Sequence, residues 1–318
     1  MVFAGTSSKQ LGQKIADRLG IELGDVRIER FQDGEVYVRF DESIRGADIF
    51  LVQSTSTPVN ESLMELLIMI NAATLASAHR ITAVMPWYGY SRQDKKSSPR
   101  EPITARLVAQ LLEAAGVDRV LTMDLHAGQI QGFFQIPVDH MTATPILADH
   151  FSERQFAGDF PEGLVVVSPD AGRAKLANHF AEKLGARLAV LAKQRPEHNE
   201  AEITFLIGDV DGKVALLIDD MIDTAGTLCA GAAVVKKAGA TKVLAAATHG
   251  LFSGKAYERL ADSVIEEIVV TDTVDCVDGA ADGKIKVLSV DRILADTVHN
   301  VFCDESVSEI FAGENQLF

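Results

Sequence analysis

The chain has 318 residues, of which 47% are hydrophobic and 24% charged, so disorder, collagen and coiled coil are excluded as its dominant state. The formal net charge of −15 argues against nucleic acid or an anionic membrane as a partner, since both require a basic footprint. It leaves small anions open, because they respond only to a local field. Three widely spaced cysteines, Cys229, Cys276 and Cys303, make neither a disulfide framework nor a zinc site and fit a reducing cytoplasm. The N-terminal MVFAGTSSKQ lacks the basic, then apolar, pattern of a signal peptide. The apolar stretch 63–78 is interrupted by Glu65, Asn71, Thr74 and Ser77, which rules it out as a membrane span.

Taken in chain order, short apolar runs alternate with helical ones. Residues 26–40 form a hairpin around Asp33-Gly34, 47–53 a buried strand, and 60–79 a helix with Asn60 as its cap. Strand 81–85 stops at Pro86. Helix 104–115 ends at Gly116, and strand 119–123 follows. The polar, Gly- and Pro-bearing stretch SERQFAGDFPEG marks a boundary near 145–160. Beyond it come strand 164–168, helix 174–184 ended by Gly185, and strand 187–191. A second hairpin, 203–218, turns around Asp211-Gly212 and contains the strand 214–218. Helix 227–237 ends at Gly239, and strands 242–247 and 267–270 complete the pattern. This rhythm predicts right-handed crossovers and mainly parallel sheets flanked by helices. The expected division is 1–147 and 148–301, with 302–318 packing back on the first domain.

The chemistry concentrates after strand 214–218. Two carboxylates, Asp219 and Asp220, leave the strand, and Asp223-Thr224-Ala225-Gly226-Thr227 then enters a helix. Backbone N–H groups, two threonine hydroxyls and a helix N-terminus suit a phosphate. The two carboxylates do not suit a phosphate; they suit sugar hydroxyls or a hydrated Mg²⁺. Phosphate and vicinal hydroxyls together describe ribose 5-phosphate.

This segment resembles the phosphoribosyl-diphosphate loop of the type I phosphoribosyltransferase fold, and longer motifs narrow the likeness. Phe31-Gln32-Asp33-Gly34-Glu35, the stretch from Trp87 to Lys96, Asp124 to Phe134 and Ser168-Pro169-Asp170-Ala171-Gly172 are similar to the ribose-phosphate diphosphokinase family, in the same order along the chain. The resemblance implies two similar domains of the type I fold. It implies transfer of the β,γ-diphosphate of Mg-ATP to the 1-hydroxyl of ribose 5-phosphate, with a product that serves nucleotide, histidine and tryptophan synthesis. It also implies a role for each matching residue. His126 and Asp170 help to hold Mg²⁺. Arg92, Gln93 and Asp94 contact ATP. Phe31, Asp33, Gly34 and Glu35 reach the adenine of a neighbouring subunit, although Asp33-Gly34 also reads as a simple tight turn. Lys193 and Arg195, on a mobile loop, close over the phosphates, and Arg195 also meets ribose 5-phosphate. Ser43, Arg45, Arg100, Ser306, Ser308 and Phe311 match a regulatory site for inorganic phosphate as activator and ADP as inhibitor, at an interface of a homo-oligomer expected to be a hexamer. Five basic residues between Arg92 and Arg106, against Asp94 and Glu101, make a local cationic island in the acidic chain.

Two positions depart from the family pattern. Gln194 stands where an arginine is usual, and Arg173 where a second glycine is usual. Two other readings compete: a phosphoribosyltransferase, which would need neither the Arg92-Gln93 nor the His126 motif, and a catalytically silent regulatory subunit, which should have lost Lys193, Arg195, His126 or Asp170.

Overall fold

The computed structural model describes residues 1–194, 203–276 and 279–311. Its elements in chain order are β1 (Val2–Ala4), α1 (Lys9–Leu19), β2 (Val26–Arg30), β3 (Val36–Phe40), β4 (Asp48–Val52), α2 (Val59–Leu75), β5 (Arg80–Met85), α3 (Thr104–Ala115), β6 (Arg119–Met123), β7 (Val138–Met141), α4 (Thr144–Phe156), β8 (Leu164–Ser168), α5 (Ala174–Leu184), β9 (Arg187–Gln194), β10 (Ile203–Ile207), β11 (Val214–Ile222), α6 (Gly226–Lys237), β12 (Lys242–Gly250), α7 (Ala256–Ala261), β13 (Glu267–Thr271), the single turn α8 (Ala280–Gly283), β14 (Ile285–Leu288) and α9 (Asp291–Phe302). They form two compact units. The first holds residues 1–142, 273–275 and 289–311; the second holds the described residues of 143–272 and 276–288. The division therefore falls before α4, and α9 belongs with the first unit.

The first unit is built on a parallel sheet of order β1-β4-β5-β6-β7. Phe3, Leu51, Ala83 and Val120 are fully buried within it, beneath Leu66 and Ile70 of α2 and Val108 and Leu112 of α3. β2 and β3 form a separate antiparallel hairpin that packs on α2. Helix α3 ends where the sequence predicts, because Gly116 takes the left-handed conformation (φ 106°) and donates its N–H to the last turn. Helix α2 differs from expectation at both ends. It starts at Val59, after Pro58, so Asn60 lies inside the helix and its side chain accepts from the Tyr90 hydroxyl instead of capping. It stops at Leu75, because Ser77 is left-handed (φ 63°) and turns the chain towards β5.

That turn sets His79 and Arg80 around Asp48. The Asp48 carboxylate accepts from Arg80 Nε at 2.9 Å and Nη2 at 2.5 Å, and pairs with His79 Nδ1 at 2.7 Å. These partners, Arg80 foremost, hold its carboxyl below the usual carboxylate range. A depressed pKa stabilises the fold above the unfolded-state value of about 3.9, and the contribution is lost as pH falls through the folded value. Asp48→Asn is therefore expected to cost about 1–2 kcal/mol at pH 7 and markedly less near pH 2, as read by urea denaturation at the two pH values.

The second unit is a seven-stranded sheet of order β10-β9-β8-β11-β12-β13-β14, parallel except for the edge pair β9/β10. Val214 to Ile218 are buried on both faces, which places β11 in the sheet interior between β8 and β12. The expected hairpin between β10 and β11 is thus corrected: β10 pairs with β9, and the Asp211-Gly212 turn leads an interior strand into a parallel position. The boundary expected near 145–160 falls largely within a helix: α4 runs through Thr144–Phe156, and its Leu147, Ala148 and Phe151 join the core with Phe180 of α5 and Val166 and Leu216 of the sheet. Leu228, Ala232 and Val235 of α6 pack on the other face against Val167 and Leu217.

From β8 the chain crosses outward to β9, and from β11 it crosses the other way to β12. The order therefore reverses between β8 and β11, and in open α/β sheets such a reversal marks where ligands bind, outside the carboxyl ends of the strands. Both units are mainly parallel α/β sheets flanked by helices, as the sequence predicts. Among the described residues no helix is long and apolar enough to cross a membrane.

Candidate active site

The reversal point of the second unit gathers the residues that the sequence singles out most strongly. β11 does not end at Ile218 but runs to Ile222, so Asp219 and Asp220 belong to the strand, and Asp219 lies in register with Ala247 of β12. Asp220 is buried (5% exposed), and Asp219 Oδ1 accepts from the Asp220 N–H at 2.9 Å. Burial first, and the neighbouring Asp220 carboxylate second, push the Asp219 carboxyl well above the usual range.

The chain then turns through Asp223 and Thr224. Ala225, a residue with a Cβ, adopts the left-handed conformation (φ 60°), and α6 starts at Gly226. The Ala225 carbonyl accepts from Cys229 N–H at 2.9 Å, while the first-turn N–H groups of any helix lack an intrahelical acceptor. Thr224, Gly226 and Thr227 are exposed around that N-terminus, so the loop offers donors and a positive helix end to an anion. The turn is held from outside by Arg259 of α7, whose Nη1 donates to the Thr224 carbonyl at 2.8 Å. The sequence reading missed Arg259, since nothing in SGKAYERL distinguishes it from an ordinary surface arginine.

The β8–α5 connection supplies the other rim. Asp170 is exposed and starts a short 3₁₀ turn, its Oδ1 accepting from Arg173 N–H at 2.9 Å. Arg173 in turn sends its guanidinium to the β11 carboxylates, with Nη2 at 2.8 Å from Asp220 Oδ2 and Nε at 3.5 Å from Asp219 Oδ1. Lys193 is the penultimate residue of β9, opposite Thr204 of β10 in the backbone register. Arg195 lies outside the described residues, as does the side chain of Lys193.

In the first unit, the Arg92 loop and the His126 loop come together. Gly89 donates its N–H to Thr55 Oγ1 at 2.6 Å, and a Cβ there would lie 2.5 Å from the Thr55 carbonyl oxygen, so only glycine permits this approach. Gln93 accepts from the Thr104 hydroxyl at 2.5 Å, and buried Asp94 accepts from Gln129 Nε2 at 2.5 Å, which ties the two loops together. Arg92 is exposed beside them. His126 is half-buried in the loop after β6. That loop is anchored by Leu125 N–H donating to His140 Nε2 at 2.9 Å.

The hairpin tip carries Phe31, 56% exposed, and its ring meets Tyr37 edge-on at 6.0 Å. Asp33 Oδ1 accepts from Glu35 N–H at 3.1 Å and Gly34 is left-handed (φ 94°), so the tip is a tight turn. Of the expected regulatory residues, Ser306 and Ser308 share a hydroxyl–hydroxyl hydrogen bond at 2.9 Å. Both line a cavity of about 620 Å³ in the first unit, with Arg119, Asp139 and His140. Ser43 and Arg45 are exposed between β3 and β4, with Arg45 Nη1 donating to Ser77 Oγ at 3.3 Å. Arg100 is exposed in a left-handed conformation (φ 72°). The side chain of Phe311 lies outside the described residues.

Residues 1–116 match the N-terminal domain of ribose phosphate pyrophosphokinase, and residues 191–312 match the phosphoribosyl synthetase-associated domain. A ribose-phosphate pyrophosphokinase of Fusobacterium nucleatum subsp. nucleatum is 52% identical over 310 residues, covering 98% of this chain and 97% of its own. The chloroplastic ribose-phosphate pyrophosphokinase 2 of Arabidopsis thaliana is 49% identical over 311 residues, covering 98% of this chain and 77% of its own. Among solved structures, phosphoribosylpyrophosphate synthetase from Mycobacterium smegmatis superposes with a TM-score of 0.89 at 44% identity, covering 96% of this chain and 99% of that one.

Proposed function

Because the chain belongs to the ribose-phosphate pyrophosphokinase family, we propose that it joins ATP and ribose 5-phosphate to give AMP and 5-phosphoribosyl 1-diphosphate, the precursor of nucleotides, histidine and tryptophan. The observation that carries this reading is the Asp219–Asp220 pair placed just before the exposed N-terminus of α6, at the point where the strand order reverses. Carboxylates accept from vicinal hydroxyls, and the loop donates to a phosphate. A phosphosugar satisfies both requirements at once.

Each group then has one task. Asp223, Thr224, Ala225, Gly226 and Thr227 hold the 5-phosphate, and Asp219 and Asp220 hold ribose hydroxyls. Arg92, Gln93 and Asp94 meet ATP, with Asp94 acting by fixing its loop. Phe31, Asp33, Gly34 and Glu35 of a neighbouring copy enclose adenine, Phe31 by stacking. The 1-hydroxyl attacks the β-phosphorus in line, its bond to phosphorus forms as its proton passes to solvent, and the bond to the α,β-bridging oxygen breaks to release AMP. Lys193 and Arg195 neutralise the charge that develops on the phosphoryl oxygens.

An imidazole and an exposed carboxylate are each ligands that a hard ion keeping most of its waters accepts, so His126 in the first unit and Asp170 in the second would each offer a ligand to Mg²⁺. That ion supplies further neutralisation of the triphosphate when bound. Ser306 and Ser308 belong to a regulatory phosphate site, together with Ser43, Arg45, Arg100 and Phe311, in a cytoplasmic homo-oligomer expected to be a hexamer.

The test is to incubate pure protein with Mg-ATP, ribose 5-phosphate and inorganic phosphate and to follow AMP. Formation of AMP that depends on ribose 5-phosphate is expected, and its absence at every phosphate level refutes the reading. Within the same assay, Arg259→Ala is expected to raise the KM for ribose 5-phosphate roughly three- to tenfold with little change in kcat. It releases the loop without touching the reacting atoms.

A further inference from the structure

The segment that follows β6 lies between two features of the first unit. On one side is the cavity of about 620 Å³, whose lining includes His140 of β7 and Gln131. On the other is the Arg92 loop, reached by Gln129 Nε2, which donates to Asp94 Oδ2 at 2.5 Å. Residues 128–133 form one short 3₁₀ helix, in which Gln131 Nε2 donates to the Gly128 carbonyl at 3.2 Å. Ile130 is fully buried and joins the same core as Leu125, so the segment is packed and moves as a unit. A shift at its cavity end therefore reaches its Asp94 end.

The contact that sets this segment runs through His140. Its Nε2 accepts from the Leu125 N–H at 2.9 Å, one residue before His126. Accepting at Nε2 places the proton of the neutral ring on Nδ1. Leu125 is buried, so loss of this acceptor is costly. The chain also enters the segment under strain, because Asp124 is left-handed (φ 38°) although it carries a Cβ. The Asp124 N–H donates to the Met141 carbonyl at 2.9 Å, so two consecutive residues of β7, His140 and Met141, hold the strained entry in place.

We propose that His140 is a positioning residue that couples the cavity to the nucleotide loops. An anion bound beside Ser306 and Ser308 fixes the His140 ring, and the ring fixes the segment that carries His126 and ties down Asp94. The proposal rests on reading the cavity as the phosphate site. Its consequence is mutual: phosphate tightens Mg-nucleotide binding, and the nucleotide tightens phosphate by the same factor. The coupling needs an acceptor at the place of Nε2. Glutamine supplies one with its amide oxygen, whereas phenylalanine fills similar space and supplies none.

The experiment is calorimetric titration of the full-length protein with Mg-α,β-methylene-ATP, whose α,β bridge cannot be cleaved by the transfer, with and without saturating inorganic phosphate. The reciprocal titration adds phosphate with and without the nucleotide. In the unsubstituted protein each ligand is expected to tighten the other by roughly fivefold or more. His140→Phe is expected to bind each ligand alone within about threefold of the unsubstituted protein, while the mutual gain falls below about twofold. His140→Gln is expected to keep most of the gain. The proposal is overturned if the unsubstituted protein shows no gain, if His140→Phe keeps all of it, or if His140→Gln loses it as His140→Phe does. It is also overturned if His140→Phe loses binding of either ligand alone, because that pattern marks a merely structural role. Failure of the cavity reading looks different: phosphate does not bind the unsubstituted protein, or binds it equally well in Ser308→Asp, and the proposal falls with that reading.

Discussion

Lys193→Ala is expected to lower kcat by about 10²–10³-fold while leaving the KM for ribose 5-phosphate within a few-fold of the unsubstituted value. Phosphoryl transfer leaves a protein little covalent work; catalysis rests on placing the reactants and stabilising charge on the phosphoryl oxygens. Removing one well-placed donor at developing charge costs roughly 3–4 kcal/mol, which corresponds to that loss. Lys193 is the penultimate residue of β9, at the same carboxyl edge of the sheet where β8 passes into the Asp170 turn and β11 carries its two carboxylates. A cation entering from there affects the transition state, while the sugar is already held by β11 and the α6 loop. The expectation is thus a fall in kcat rather than a rise in KM, read by steady-state kinetics at saturating Mg-ATP. Unchanged turnover removes Lys193 from the chemistry.

Asp220→Asn should produce the opposite signature. The substitution keeps shape and one acceptor but removes a buried charge 2.8 Å from Arg173. Hydrogen bonds to a charged acceptor contribute about 1.5–3 kcal/mol, so kcat/KM for ribose 5-phosphate is expected to fall roughly 10- to 100-fold, mainly through KM. Thermal unfolding and steady-state kinetics on the same preparation separate the two effects. An unchanged KM in a folded variant contradicts the assignment of the pair to sugar hydroxyls.

Elements with strong punctuation were legible in the sequence. α3 and α5 each carry an apolar stripe ended by a left-handed glycine, Gly116 and Gly185, and their observed bounds equal the expected ones. β6 and β8 are short apolar runs bounded by polar or proline residues, and they too match. Where local signals conflict with tertiary placement, the sequence misleads. The polar half of α4 resembles linker, yet Leu147, Ala148 and Phe151 bind it to the sheet. Asp219 and Asp220 resemble a strand exit, but pairing with β12 carries the strand through them. β1 has only three residues, too few for any period, and is defined by its ladder with β4.

The site shows the same limit. The loop Asp223–Thr227 is contiguous, so its chemistry could be inferred directly from residue types. The contacts of Arg173 with Asp220 and of Arg259 with Thr224 join distant segments, and only the parallel order of β8, β11 and β12 brings them together. Arg173 was visible as a departure from the family pattern, but its partner was not.

The most direct test of the proposed reaction follows the diphosphate itself. ATP labelled with ³²P at the β-phosphorus is incubated with the protein, Mg²⁺ and ribose 5-phosphate, and the products are separated by chromatography. The proposed reaction places all transferred label in a phosphoribosyl diphosphate, formed one-to-one with unlabelled AMP. Label recovered in ADP or in free inorganic phosphate, or product formed without AMP, contradicts it.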